Sequence, residues 1–336
     1  MGKSLKKPKA IFLCDSPENI ARVFGEGRLE RLKTFAEVHP QVISTADFDH
    51  NLHVVRDAEY VFTTWGMLVL TPAQIKHMKK LKAVFYAAGT VKYFAAPYLK
   101  AGIKVISAWA QNAVPTSTFA FAQVILSCKG YFRNSRNYKQ EKTGVWSIVK
   151  HGIYGTKIGI IGAGQVGRKL IDMLRPYGVE IYVTDPFLTP KQANTIGARK
   201  VGLKQLFKDC LIISNHMPDL KQTKGTINKA LFASMQKKAT FINTGRGAQV
   251  NENDLISVFK KRKDLTALLD VTFPEPPDKS SGLFTLPNVI LSPHIAGAYG
   301  KEQLQLADYV IDEFESMLDG KPLKYQIKAD MLKKMG

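Results

Sequence analysis

Short apolar, β-rich runs alternate with stretches of helical character along the chain. This is the pattern of parallel strands joined by crossover helices. In the first part the runs are Ala10–Cys14, Gln41–Ser44, Tyr60–Thr63, Ala83–Ala87 and Val105–Ala108. Between them, Thr71-Pro72 joins a capping residue to proline at the first helical position. A long helix is expected from near Pro115-Thr116-Ser117 through Phe119, Val124 and Leu126 towards Tyr131, followed by the polar stretch Arg133–Thr143. A second series begins at Lys157–Ile161 and continues through Glu180–Thr184, Leu211–Asn215, Ala239–Asn243, Thr266–Leu269 and Val289–Leu291. A last helix around Gln303–Leu318 is placed to fold back onto the first series. The expectation is two α/β domains, one of residues 1–115 with 298–336 and one of residues 116–297.

A chain of 336 residues is long enough for two separate cores. Its 45% hydrophobic and 23% charged residues are ordinary for a globular protein. No run approaches the roughly 20 apolar residues of a membrane helix. The basic start, Met1 to Pro8, is not followed by an apolar signal core, so the expected location is the cytoplasm. Cys14, Cys128 and Cys210 form no CxxC pair, which encodes neither a disulfide framework nor a metal site. The formal charge of +20 comes mostly from lysines scattered between Lys3 and Lys334. The densest run, Lys260-Lys261-Arg262-Lys263, lacks interleaved aromatics. Neither nucleic acid nor membrane is therefore expected as a partner, whereas small anions would be drawn to such a surface. Neither solenoid repeats nor low-complexity segments occur.

The sharpest local motif is Ile158-Gly-Ile-Ile-Gly162-Ala-Gly164-Gln165-Val166-Gly167. Here a strand leads directly into three glycines and a helix. Gly162 permits a tight turn, Gly164 the approach of a pyrophosphate, and Gly167 close packing of helix on strand. Gln165 and Val166 open the helix whose N-terminus attracts the phosphates. The next apolar run ends at Asp185, 23 residues after Gly162 (185 − 162). A carboxylate there accepts hydrogen bonds from ribose hydroxyls and repels a 2′-phosphate, which favours NAD over NADP.

Three later strands each end in residues suited to 2-oxo acid chemistry. After Ala239–Asn243 comes Thr244-Gly245-Arg246-Gly247, where a planar guanidinium on a tight turn can grip a carboxylate. After Thr266–Leu269 comes Asp270-Val271-Thr272-Phe273-Pro274-Glu275-Pro276, and after Val289–Leu291 comes Ser292-Pro293-His294. A glutamate beside a histidine would orient its ring and raise its pKa towards working pH.

In this order the motifs resemble the D-isomer-specific 2-hydroxy acid dehydrogenase family. The likeness covers essentially the whole chain and is strongest from about Tyr154 to Ala296. It is carried by Gly155–Gly167, by Phe241–Gly247, by Leu269-Asp270-Val271 with Glu275-Pro276, and by Pro287-Asn288-Val289 with Ser292-Pro293-His294. The resemblance implies NAD-dependent hydride transfer between a small D-2-hydroxy acid and its 2-oxo acid. By it Arg246 binds the carboxylate and polarises the carbonyl, and His294 is the general acid in reduction and base in oxidation. Glu275 is its partner, and Asp270 lies near the nicotinamide carboxamide. His216 and Thr244 line the cofactor side, while Ala88-Gly89-Thr90 and Trp65 face the substrate. It further implies two doubly wound parallel-sheet domains, a Rossmann NAD-binding domain and a smaller flavodoxin-like substrate domain. The cleft between them would close on both ligands, in a homodimer built through the cofactor domains.

The departures lie mainly in the first domain. Val91-Lys92 stands where relatives continue with Asp, and Thr116-Ser117-Thr118 stands where many have Val-Ala-Glu. Gly245 replaces the usual Ala, an exchange expected to be harmless, and Val250-Asn251 replaces Val-Asp. These differences leave the acid itself unnamed. Glu275 argues against formate dehydrogenase, which lacks the Glu–His pair. The alternatives are an NAD-sensing protein like the C-terminal-binding-protein corepressors and an enzyme of this fold acting on phosphite. Against the sensor, no long disordered tail or peptide-docking addition is read from the chain.

Overall fold

A computed structural model describes residues 7–142 and 152–335. Most of the basic start and Thr143 lie outside the described residues. The chain forms two compact units, Met1–Asn112 with Ala298–Gly336, and Ala113–Gly297.

The first unit is a five-stranded sheet of β1 (Lys9–Leu13), β2 (Glu37–Ile43), β3 (Tyr60–Thr63), β4 (Ala83–Tyr86) and β5 (Lys104–Ser107). All its pairs are parallel and the order is β2-β1-β3-β4-β5, the flavodoxin-like arrangement. Alternation along the strands sends Ile11, Leu13, Val61, Val84, Tyr86 and Val105 into one core. Ala10, Phe12, Tyr60, Phe62, Phe85 and Ile106 enter the other. Both faces are therefore covered, as parallel sheets require. The second face is closed by the helix Glu302–Leu318. Its Phe314 ring lies 4.8 Å from Tyr60, 5.2 Å from Phe62 and 5.3 Å from Phe85, all edge-on, the geometry favoured by aromatic quadrupoles.

β2 begins at Glu37, four residues before the run Gln41–Ser44 that predicted it. Pro40 hid the extension. It is tolerated because β2 is an edge strand and its register with β1 slips between Ala10 and Phe12.

The second unit carries β6 (Lys157–Ile161), β7 (Glu180–Thr184), β8 (Arg199–Lys200), β9 (Ile212–Asn215), β10 (Thr240–Asn243), β11 (Thr266–Leu269) and β12 (Val289–Leu291). The order is β12-β11-β10-β9-β6-β7-β8, a doubly wound Rossmann sheet whose direction of winding reverses between β6 and β9. β8, of two residues, is too short for any periodicity to announce.

Two helical expectations are corrected. The long helix runs from Trp109 to Cys128 and starts well before Pro115, which lies inside it. Ser107 Oγ accepts the Trp109 N–H at its start. The hydroxyls of Ser117 and Thr118 both donate to the Val114 carbonyl near the proline. The polar stretch after it is a second helix, Tyr131–Glu141, whose polar sequence concealed it.

Candidate active site

The candidate residues of the second unit sit beyond the C-terminal ends of its strands, from the switch point between β6 and β9 out to the edge strand β12. Ligands bind at this edge of open α/β sheets.

β6 ends in Gly162 at φ +91°. A Cβ there would lie 2.9 Å from the His216 carbonyl oxygen, so the turn rests on the backbone following β9. Gly164 caps the helix Gln165–Leu174, supplies no side chain to its first-turn amides, and has open space where a Cβ would be. Gln165 and Val166 are half-buried in that first turn. Gly167 passes so close to Gly162 that a Cβ would lie 2.1 Å from its carbonyl oxygen. Asp185, at the end of β7, accepts the Ala163 N–H at 2.8 Å through one oxygen and the Phe187 N–H at 2.8 Å through the other. This carboxylate therefore closes the glycine turn, and each of its oxygens keeps acceptor capacity. Uncapped amides, an open glycine face and an acceptor carboxylate suit a dinucleotide.

After β9, His216 is held at both ring nitrogens. Nε2 lies 2.9 Å from Ser214 Oγ, and Nδ1 lies 2.9 Å from Thr244 Oγ1. Burial pushes its pKa down to about 3, so the ring is neutral in working conditions, and one nitrogen donates while the other accepts.

After β10, Thr244 is buried and Arg246 half-buried. Arg246 Nη1 donates to the Gly245 carbonyl at 2.7 Å, which bends the side chain back over its own turn. A Cβ on Gly247 would lie 2.0 Å from the Thr272 carbonyl group, so only glycine allows this turn beside the segment after β11. A Cβ on Gly245 would meet two side-chain ends instead, Gln249 Oε1 at 2.8 Å and Asn215 Nδ2 at 3.0 Å.

After β11, Asp270 is 2% exposed. Its carboxylate accepts from Ser292 Oγ at 2.6 Å, Ile295 N–H at 3.0 Å and Ala296 N–H at 2.9 Å. Its own carbonyl accepts the His294 N–H at 2.9 Å. One residue thus grips three successive amides of the loop after β12. In that loop His294 has φ +55°, and its Nδ1 lies 2.6 Å from Glu275 Oε1. Both side chains of the pair reach the surface, at 47% and 38% exposure. Glu252 Oε1 accepts the Phe273 N–H at 2.6 Å, at the root of the segment carrying Glu275. Ser292, Glu252 and the amides of Asn215, Asn243 and Gln249 were not singled out in the sequence. The legible signal was a pair of asparagines ending adjacent apolar runs, Ile-Ile-Ser-Asn215 and Thr-Phe-Ile-Asn243.

In the first unit, Ala88-Gly89-Thr90 follows β4. Ser107 Oγ engages the Ala88 and Gly89 carbonyls at 3.0 and 2.7 Å. Thr90 Oγ1 accepts the Lys92 N–H at 3.4 Å. Trp65 follows β3 with its ring partly buried against both cores and its carbonyl accepting from Asn19 Nδ2. Among the described residues no cluster of His, Cys, Asp and Glu could hold a metal ion, and no helix is long and apolar enough to cross a membrane.

Known proteins resemble this chain in sequence and in fold. D-3-phosphoglycerate dehydrogenase of Bacillus subtilis is 29% identical over 235 residues, 70% of this chain and 45% of the relative. The chain spans about half the length, or less, of the curated relatives it matches. A phosphoglycerate oxidoreductase structure from Rhizobium etli superposes with a TM-score of 0.80 at 20% identity, over 97% of this chain and 100% of that one. The apo D-mandelate dehydrogenase of Rhodotorula graminis gives 0.77 at 21% identity, over 96% and 98%. The family model for the D-isomer specific 2-hydroxyacid dehydrogenase NAD binding domain matches residues 121–296, more than half of the chain. With that match over the unit that carries the glycine turn, Arg246 and His294, the chain belongs to the D-isomer-specific 2-hydroxyacid dehydrogenase family, and its second unit is the NAD-binding domain.

Proposed function

We propose that the protein interconverts a small D-2-hydroxy acid and its 2-oxo acid with NAD. The observation that carries this reading is the His294–Glu275 contact of 2.6 Å on a loop anchored by Asp270. Glu275 occupies Nδ1 and fixes the ring, which leaves Nε2 to give a proton to the carbonyl oxygen in reduction and remove one from the hydroxyl in oxidation. Arg246 holds the substrate carboxylate with its planar guanidinium and draws electron density from the adjacent carbonyl. The first-turn amides after Gly164 hold the pyrophosphate, and Asp185 accepts from the ribose hydroxyls. Asp270, His216 and Thr244 border the nicotinamide. The bound dinucleotide supplies the hydride. Ala88-Gly89-Thr90 and Trp65 are assigned to the substrate side.

The test is NADH oxidation, followed by absorbance, with glyoxylate, hydroxypyruvate, pyruvate, a branched 2-oxo acid and phosphohydroxypyruvate, each repeated with NADPH. Turnover of at least one acid, preferentially with NADH, is expected. Tight NADH binding without turnover of any acid would overturn the enzyme reading in favour of an NAD sensor.

A further inference from the structure

Beneath the Arg246 turn three carboxamides meet out of reach of solvent: Asn215, Asn243 and Gln249, all 0% exposed. Asn215 and Asn243 are neighbours in the parallel ladder at the ends of β9 and β10. Gln249 closes the short 3-10 turn that follows Arg246. Gln249 Oε1 accepts from Asn215 Nδ2 at 2.6 Å and from the Arg246 N–H at 3.2 Å. Its Nε2 donates to the Met217 and Pro218 carbonyls at 2.7 and 2.9 Å. All four hydrogen-bonding positions of this amide are used, and a flipped amide would oppose donors to donors. Asn243 Oδ1 accepts from Asn215 Nδ2 at 2.9 Å and Gly245 N–H at 3.1 Å, and its Nδ2 donates to the Arg246 carbonyl at 3.2 Å. Both backbone polar groups of Arg246 therefore end on this cluster. Its other side is the Met217-Pro218 backbone, directly after the His216 carbonyl on which Gly162 rests.

We propose that Gln249 is a positioning residue that couples the segment under the glycine turn to the Arg246 turn, so that cofactor and carboxylate are placed together. This rests on the reading of Arg246 as the carboxylate anchor. An apolar side chain would fill the same volume; saturated, directional amide bonds add a fixed aim for the two turns they join. Gly245 belongs to the same device. A carboxamide held by four bonds cannot swing away from a Cβ only 2.8 Å off.

The experiment compares the parent chain with Gln249→Met, with Gln249→Met combined with Asn215→Leu, and with Gly245→Ala. The readouts are the KM of whichever 2-oxo acid is turned over, the Kd of NADH by fluorescence, and Tm. Gln249→Met and Gly245→Ala should each raise KM about tenfold or more, as small misplacements of a binding group do, and should also weaken NADH. The double variant leaves the Arg246 N–H and the Met217 and Pro218 carbonyls without Gln249, so Tm should stay below the parent and KM should stay raised. The proposal is overturned if KM and NADH Kd in Gln249→Met stay within about twofold of the parent. It is equally overturned if the double variant restores KM together with Tm, which would make the cluster purely structural. Should Gln249→Met not fold, Gly245→Ala decides alone by the same limits. Arg246→Lys separates the underlying reading: KM unchanged in that variant removes the carboxylate role whatever Gln249 does. If no acid is turned over, the NADH Kd ratio of Gln249→Met to parent still decides the coupling, and equality refutes it.

Discussion

Replacing Asp270 with asparagine exchanges one oxygen for an NH2 group and preserves shape, so its cost is readable from the hydrogen bonds. The asparagine oxygen can keep Ser292 Oγ and the Ile295 N–H, which share Oδ1. The new NH2 then faces the Ala296 N–H that Oδ2 accepted at 2.9 Å, donor against donor. One bond to a charged acceptor is lost, at about 1.5–3 kcal/mol, and buried donors are left unsatisfied, at about 1–3 kcal/mol more. A loss of about 3 kcal/mol lowers Tm by roughly 6–12 °C in a unit of this size. Ser292→Ala removes only one bond and leaves the backbone grips intact, so about 1 kcal/mol is expected. Thermal melting followed by circular dichroism measures both. Because the same carboxylate aims the loop of His294, turnover in Asp270→Asn should also fall on the order of a hundredfold. Equal Tm for Asp270→Asn and parent, or a Ser292→Ala loss as large as that of Asp270→Asn, would refute the idea that the carboxylate clamps the loop.

Other perturbations separate the remaining roles. His294→Ala should lower reduction by about 10²–10⁴-fold and leave NADH affinity unchanged by fluorescence titration; a matching loss of NADH affinity would remove the acid–base assignment. Asp185→Ala should bring the NAD to NADP preference towards parity and, by freeing Ala163 and Phe187, weaken both; an unchanged ratio of the two Kd values argues against the ribose contact. His216 is neutral in the folded chain to about pH 3, whereas its unfolded form binds a proton below about pH 6.5. Stability from this group is complete above that pH and is lost as pH falls towards 3, by at most about 1.4 kcal/mol per pH unit. Urea midpoints at neutral and acid pH should differ less in His216→Gln than in the parent, and an identical difference would contradict the neutral ring.

The strands of the second unit were legible because four of them, Lys157–Ile161, Glu180–Thr184, Thr266–Leu269 and Val289–Leu291, are apolar runs bounded by polar or turn residues. Each of the residues Gly162, Asp185, Asp270 and His294 follows such a run by one to three positions, so strand ends located in the sequence also locate them on the sheet edge. Legibility failed where local chemistry contradicted the tertiary outcome. Pro40 and Pro115 argued against strand and helix at positions where an edge strand with a slipped register and a continuous helix nevertheless carry them. The helix Tyr131–Glu141 carries few apolar residues to display a period. Gln249 itself was invisible for another reason. Its partners come from segments more than 30 residues apart, and an amide in a sequence does not reveal that all its bonds are internal.

The return of the chain to its first unit at Ala298 has a bearing on synthesis. Tyr60, Phe62 and Phe85 pack edge-on against Phe314, a residue translated 229 positions after Phe85 (314 − 85). At about 5–20 residues per second, the interval is roughly 10–45 s. During it the nascent sheet β1–β5 carries an aromatic face that Phe24 and its neighbours only partly cover, while the dinucleotide-binding unit, continuous in the chain, can emerge and fold entire. Of the two units, the one begun first is thus the one finished last, and it is on this nascent segment that ribosome-associated chaperones would be needed.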